Sequence, residues 1–265
     1  MTGWTLRLRQ PPALRLDLRG VTPAALDAAA ARTRVGHGNA QVELGEFFDV
    51  TTRADETLVF EGDCARCDRI GWQMAQGTLI VEGAAGDYAG AGLRGGAMTV
   101  RGDAGDLAAC EMSGGTLDIV GGVGDFAAST LPGSMDGMRG GTLIVRGNVG
   151  ARFADRMRRG TALVFGDAGD FLASRLVAGT IALAGRCGVH PGYGMRRGTL
   201  LFAGEAPPVP ATYVPAIDDA DVFWRLLARD LSRFGGVFAA LATRRTERFR
   251  GDLAAEGKGE WIVCK

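Results

Sequence analysis

Through the middle of this chain, apolar residues recur in pairs two positions apart, and the pair itself recurs every 19 residues. The first member is Leu79, Met98, Leu117, Leu143, Ala162, Ile181 and Leu200; the second is Val81, Val100, Ile119, Val145, Val164, Leu183 and Phe202. A spacing of two puts both on one face of a strand. A third apolar column, Met74, Leu93, Met112, Met138, Met157, Leu176 and Met195, keeps the same period. It reads as a buried stack in which unbranched methionines fill the gaps between turns of chain. The position between the paired apolars tolerates polarity, as at Thr99 and Asp118. The second face of each strand is therefore free to meet solvent or a partner.

Glycine punctuates the pattern. Units open at Gly77, Gly96, Gly115, Gly141, Gly160, Gly179 and Gly198, in steps of 19, 19, 26, 19, 19 and 19 residues, and a looser copy spans 58–77. Two further glycine columns begin at Gly83 and Gly86. The repetition makes them corners, where positive φ or close backbone approach is needed, rather than phosphate loops. A period near 20 with such punctuation predicts a mainly β stack of coils. Nineteen residues at roughly 3.3 Å give a coil about 60 Å around; seven or eight coils about 4.8 Å apart make a rod of roughly 35–40 Å. Its ends are open edges, which the flanks are expected to cover. The long step carries seven extra residues within 128–136, predicted as a loop on one face, either neutral or a contact.

The expected organisation is three-part. Residues 1–55 hold short strands at 4–9 and 14–18 and a helix opened by Thr22-Pro23 and running to about Arg34, before GHGNAQVELGEFFDV (36–50) leads into the first coil. Residues 56–205 are the repeats. Residues 206–265 begin with Pro207, Pro208 and Pro210 as a linker, then an amphipathic helix from Asp218 to Phe234. Its predicted stripe is Phe223, Leu226, Leu227, Leu231 and Phe234, with Arg225, Arg229 and Arg233 opposite. That stripe would cover the last coil or dock a partner.

Composition removes whole classes of function. The 30 basic and 30 acidic residues cancel, so no net field favours nucleic acid or a membrane surface. No apolar run approaches 18 residues and no signal peptide is read at the start. Five cysteines without framework spacing suit a reducing cytoplasm. Lys258 and Lys265 are the only lysines, so 28 basic residues are arginine, a bias that hints at a GC-rich bacterial genome.

Candidate chemistry is sparse. Cys64-Ala-Arg-Cys67 has the spacing of a redox pair or half a zinc site. Within the repeat, however, Cys64 falls in a small apolar column (Ala85, Ala104, Val123, Val149, Ala168, Cys187), and Cys67 falls near a larger one with Tyr88, Leu107, Phe126 and Phe171. Core packing is the expected role, with no metal site. His37 and His190 are the only histidines; His190 shares the aromatic column and is expected in or near the core. No nucleophile–base pair is suggested, so no catalytic residue is assigned. The signal outside the core is arginine: Arg94, Arg139, Arg158 and Arg196 share the column after the methionines, and Arg159 and Arg197 the next. Stacked coils would set Arg139 and Arg158 about 5 Å apart, close enough to need counter-ions. These are either acids of neighbouring columns (Asp87, Asp106, Asp125, Asp170) or an anionic ligand. For a polyglutamate tail, the expected binding residues are Arg139, Arg158, Arg159 and Arg196.

The unit G-T-L-x-V-x-G-x-x-G, closing on Met and Gly, resembles the right-handed parallel β-helix shared by the C-terminal domain of glutamate synthase and the C subunit of formylmethanofuran dehydrogenase. The lead-in GHGNAQVELGEFFDV and the ending Arg250-Gly-Asp…Gly-Lys-Gly-Glu260 resemble the second family over nearly the whole chain. The resemblance implies a structural subunit, most like that of the bacterial formyltransferase/hydrolase complex of methylotrophs. There a formyl group passes from formyl-tetrahydromethanopterin to methanofuran (or methylofuran) and is released as formate. It implies a formyltransferase, a metal-dependent amidohydrolase-like subunit and a B-type subunit as partners. It also implies no cofactor held by this chain alone, with methanofuran or methylofuran contacted in the complex. The alternatives are the C subunit of a tungsten or molybdenum formylmethanofuran dehydrogenase, or a glutamate-synthase-type domain.

Overall fold

In each repeat the opening glycine turns the chain at positive φ, 78° at Gly96, and in most repeats a strand starts directly after it. The computed structural model describes residues 2–217 and 221–265. The leading segment forms β1 (Gly3–Leu8), β2 (Leu16–Asp17), β3 (Arg34–His37), β4 (Ala40–Glu43) and β5 (Phe48–Arg53). The repeats give β6 (Thr57–Glu61), β7 (Cys67–Asp68), β8 (Thr78–Val81), β9 (Ala97–Val100), β10 (Thr116–Ile119), β11 (Arg139–Val145), β12 (Arg159–Val164), β13 (Thr180–Leu183) and β14 (Thr199–Phe202). The tail adds β15 (Val214–Pro215), helix α1 (Asp221–Ser232), β16 (Thr246–Gly251) and β17 (Gly259–Cys264).

The protein is mainly β, built on one large, mostly parallel sheet. Its order is β15-β16-β17-β14-β13-β12-β11-β10-β9-β8-β6-β1-β5, and β4-β3-β2-β7 form a smaller one. From β6 to β14 each repeat adds one parallel strand. Leu117 stands beside Met98 and Leu143, and Ile119 beside Val100 and Val145, so the apolar pairs form continuous inward columns. A second parallel ladder of single bridges joins Cys64, Ala85, Ala104, Val123, Val149, Ala168 and Cys187. The Met/Leu column is buried from Met74 to Met195. No repeat could hold this arrangement alone. Three buried side chains contribute roughly 1.5–3 kcal/mol each, against backbone ordering of about 1 kcal/mol or more for every residue of the unit. Only shared stacking closes that gap.

The corners are not all glycine work. Among the described residues, fifteen non-glycine residues have positive φ, mostly at alternate positions such as Arg152, Ala154 and Arg156 or Phe171, Ala173 and Arg175. Each such αL residue costs roughly 1–2 kcal/mol. Hydrogen bonds to the next repeat hold them there: Tyr88 N–H donates to Asp106 O (2.8 Å) and Arg152 N–H to Asp170 O (2.7 Å). The glycines of the Gly86 column have a different role. They keep ordinary φ and leave room for a neighbour's carboxylate: a Cβ on Gly105 would overlap Asp87 Oδ1. That oxygen accepts the backbone N–H of Asp106 (3.1 Å), and Asp106 Oδ1 accepts that of Asp125 (2.8 Å). Aspartates thus tie repeat to repeat 19 residues apart.

The flanks depart from expectation in detail. Past Thr22-Pro23 the chain makes turns and a single 3-10 turn at Ala30–Arg32 instead of a helix to Arg34. The Asp27 carboxylate takes the Ala29 N–H (2.8 Å), a local bond that competes with helix continuation. The 36–50 lead-in forms the β3–β4 hairpin and β5, which pairs antiparallel with β1 at the sheet edge. At the far end, β17 of the tail joins β14 in parallel and carries β16 antiparallel beyond it. The end of the stack is therefore closed by the tail strands. Helix α1 lies instead against the sheet's outer face, over Ile144, Leu163, Ala182, Leu201 and Ile262. In the repeats these are the between-pair positions, polar at Thr99 and Asp118 but apolar from Ile144 onward, and Ile262 continues the row on the tail strand. Trp224, Ala228 and Leu231 are buried there, while Phe223 and Leu226 of the predicted stripe are exposed. The predicted helix start, at Asp218, lies outside the described residues.

Candidate functional site: an arginine-lined groove

Because Met138, Met157, Leu176 and Met195 point inward, the residue after each faces out. That places Arg139, Arg158, Val177 and Arg196 in one column and Arg159, Ala178 and Arg197 in the next. Together with Glu256 these line a cleft of 490 Å³, so the four arginines named from the sequence meet at one place. Arg139 is the ladder partner of Arg159, with a register shift before Thr142 that staggers the two columns. A second cleft of 540 Å³ shares Arg158, Arg196 and Glu256 and adds Arg156, Arg175 and Met135. The two form a single groove across the C-terminal repeats.

The counter-ions are not those expected. Asp87, Asp106, Asp125 and Asp170 accept backbone N–H groups of the following coil, and Asp87 also meets Arg15 at 2.8 Å. The groove arginines meet other carboxylates. Arg139 pairs with Glu111, Arg158 with Asp136, and Arg196 and Arg197 share Glu256 at 3.9 and 3.6 Å. Asp136 belongs to the inserted segment, so that loop folds onto the groove, and its Met135 receives the Arg156 guanidinium at 2.8 Å. Arg159 has no carboxylate partner among the described residues. The arginines of these pairs are all half-exposed, so each pair is worth little to stability.

One pair is different. The side chain of Asp155 is 5% exposed and takes a bidentate contact from Arg175 (3.0 and 2.9 Å), with the Ser174 hydroxyl donating to the same carboxylate. This fixes Arg175 on the groove wall. Sequence reading passes over Arg156 and Arg175; they stand in the column directly before the methionines, beside Glu111, where polar residues replace the glycines of other repeats.

The remaining candidates carry less. Cys64 and Cys67 are fully buried in the main core. The Cys67 thiol is pushed far up by its contact with Cys64 and by burial. Burial likewise raises Cys187, to about 11, so these thiols are poor nucleophiles at neutral pH. No group of three metal-binding side chains occurs among the described residues. The column of Tyr88, Leu107, Phe126 and Phe171 continues to Arg69, not Cys67, and runs along the outside: its positions are the αL corners, whose side chains point away from the core. His190 is therefore exposed, packed on Phe171 at 5.1 Å, rather than near the core. His37 accepts the Leu14 N–H and packs on Phe47. No helix among the described residues is long and apolar enough to cross a membrane.

Comparison with known proteins places this architecture. No protein-family model matches the chain. Over 86 residues it is 42% identical to the C subunit of the formyltransferase/hydrolase complex (Fhc) of Methylorubrum extorquens, a match covering 31% of this chain and 32% of that protein. Over 64 residues it is 38% identical to the C subunit of the tungsten-containing formylmethanofuran dehydrogenase 2 of Methanothermobacter wolfeii, 22% of this chain and 24% of that one. The chain thus spans a third or less of the curated relatives it matches. The structural likeness runs further. A chain in the crystal structure of the formyltransferase/hydrolase complex (FhcABCD) from Methylorubrum extorquens, in complex with methylofuran, superposes with a TM-score of 0.91 at 41% identity, covering 98% of both chains. With that identity sustained from end to end, this chain belongs to the family of formyltransferase/hydrolase complex C subunits.

Proposed function

We propose that this chain is the non-catalytic scaffold of a formyltransferase/hydrolase complex, in which residues 56–205 form a right-handed parallel β-helix closed by caps at 1–55 and 206–265. The observation that carries the reading is the end-to-end likeness to a chain of the methylofuran-bound complex at 41% identity. The cytoplasmic complex would join this chain to a formyltransferase, a metal-dependent amidohydrolase-like subunit and a B-type subunit. Together they would move a formyl group from formyl-tetrahydromethanopterin to methanofuran or methylofuran and release formate. The shorter matches to dehydrogenase C subunits favour the hydrolase setting over the tungsten enzyme.

Within the complex, the groove would guide the carrier's polyglutamate tail. Its residues fit such a group: Glu111, Asp136 and Glu256 already rest on Arg139, Arg158 and Arg196, so side-chain carboxylates are accommodated there. Arg159 adds a cation without such a partner among the described residues, and Asp155 keeps Arg175 aligned beside them. Fixed cations one coil apart, about 4.8 Å, suit a chain of carboxylates better than a single one. The carrier's chemistry would take place on other subunits; this chain would supply a rigid span along which a tethered group can move.

The test is a separation of activities. The isolated chain should show neither formyl transfer nor formylmethanofuran hydrolysis, whereas the assembled complex shows both. Either activity in the isolated, homogeneous chain would overturn the scaffold reading.

A further inference from the structure

Outside the groove, the αL corners build a second continuous feature. Successive coils present Phe126, Arg152, Phe171 and His190 outward, one above the next. The Arg152 guanidinium lies 4.8 Å from the Phe171 ring centre and 6.0 Å from that of Phe126, and Phe171 packs on His190 and Tyr193 at 5.1 and 6.2 Å. Large apolar surface is left in water: Phe126 is 41% exposed, Val189 56% and Tyr193 59%. At the end of the row, Val189, His190 and Pro191 open into a cleft of 540 Å³ walled on its far side by Pro207 and Pro208.

We infer that this row is an interface for an acidic amphipathic helix of another subunit; the inference rests on the reading of the chain as a complex subunit. Three observations select that occupant. First, Arg152 has no carboxylate partner among the described residues, and the nearby aspartates Asp125 and Asp170 are engaged with backbone N–H groups at 2.7 and 2.9 Å. Covering this guanidinium requires a carboxylate from outside, because a buried unpaired charge is costly. Second, the rungs repeat at about 4.8 Å, close to the roughly 5–6 Å between side chains three or four apart on a helix. A helix with an acid at one position and apolar residues one turn to either side would seat the acid on Arg152 and the apolar residues on Phe126 and Phe171. Third, the row is held in place before any partner arrives. The N–H of Phe126, Arg152 and Phe171 each donate to the next coil at 2.7–2.9 Å, so little ordering entropy is lost on binding. Aromatic residues around an arginine are also the composition of interface hot spots.

The test uses the full chain co-expressed with the other subunits of its complex and purified through a tag on this chain. Arg152→Glu is expected to release one partner subunit, weakening its retention at least about 30-fold, while the melting temperature of the isolated variant stays at the wild-type value. The neutral pair Phe126→Ala with Tyr193→Ala is expected to weaken the same partner, and it decides the matter if Arg152→Glu does not fold. Wild-type assembly by both variants would overturn the inference. So would a wild-type chain that forms dimers alone, in analytical ultracentrifugation, and loses them on Arg152→Glu, since the row would then join copies of this chain. Failure of the complex reading looks different, because the wild-type chain itself would then retain no partner.

Discussion

Gly105→Ala is expected to lower stability by about 2.5–6 kcal/mol, comparable to truncating a large core side chain. The residue has ordinary φ, so the cost does not come from the backbone angle. A Cβ there overlaps Asp87 Oδ1 and lies 2.9 Å from Asp87 N and 3.0 Å from Gly86 C, both backbone atoms of the preceding coil. The coil must shift, at roughly 1–3 kcal/mol for overpacking, and the carboxylate loses its bond to the Asp106 N–H, about 1.5–3 kcal/mol for a charged acceptor. For a chain of this size the sum corresponds to a melting temperature lower by roughly 10 °C. Asp87→Ala alone should cost less. The double variant should cost less than the sum, because removing the carboxylate relieves the closest of the three contacts. Thermal unfolding of the four proteins of this cycle checks it. A Gly105→Ala variant within about 1 kcal/mol of wild type would mean that the aspartate tie does not fill the space the glycine leaves.

The second large effect concerns the groove. Arg158→Glu with Arg196→Glu should reduce retention of a polyglutamate-bearing carrier by the purified complex about a thousandfold at low salt. Each reversal turns an attraction of roughly 1 kcal/mol at about 4 Å in water into a repulsion of similar size, and two reversals, about 4 kcal/mol together, give about three decades of affinity. The effect should shrink as ionic strength rises. The set of partners retained should stay that of wild type, since both side chains are half-exposed and their present partners, Asp136 and Glu256, belong to this chain. Unchanged carrier content at low salt would remove the groove from the path of the tail.

What can be read from the sequence follows from how locally each feature is determined. The inward columns are legible because a spacing of two and a period of 19 leave only one register: Leu117 sits between Met98 and Leu143, as the repeat requires. The arginine column is legible for the same reason, since any residue after a buried methionine must face out. The counter-ions are not, because Glu111 and Glu256 reach Arg139 and Arg196 across coil and tail, and Asp136 arrives on a loop outside the period. The corners mislead because glycine is the usual signal for positive φ, whereas here hydrogen bonds between repeats hold Phe126, Arg152 and Phe171 in that region, and His190 shares their backbone conformation. That is also why His190 faces out. Leu227, Leu231 and Phe234 of the predicted stripe do pack on the sheet, but Trp224 and Ala228 replace Phe223 and Leu226, because the partner surface, Ile144 to Leu201, is a tertiary feature. Once that surface is apolar, Trp224 rather than Phe223 faces it. The tail strand β17 repeats the opening pattern at Gly259, Trp261 and Val263 but lies outside the 19-residue period: its pairing with β14 joins residues some 60 positions apart.

Purification of the tagged chain from its native host, with native mass spectrometry of everything retained, decides whether it is the scaffold of such a complex. The account predicts a stable hetero-oligomer containing a formyltransferase and an amidohydrolase-like subunit, without tungsten, molybdenum or iron–sulfur components. Recovery of the chain alone, or with a molybdopterin subunit in place of these, would contradict it.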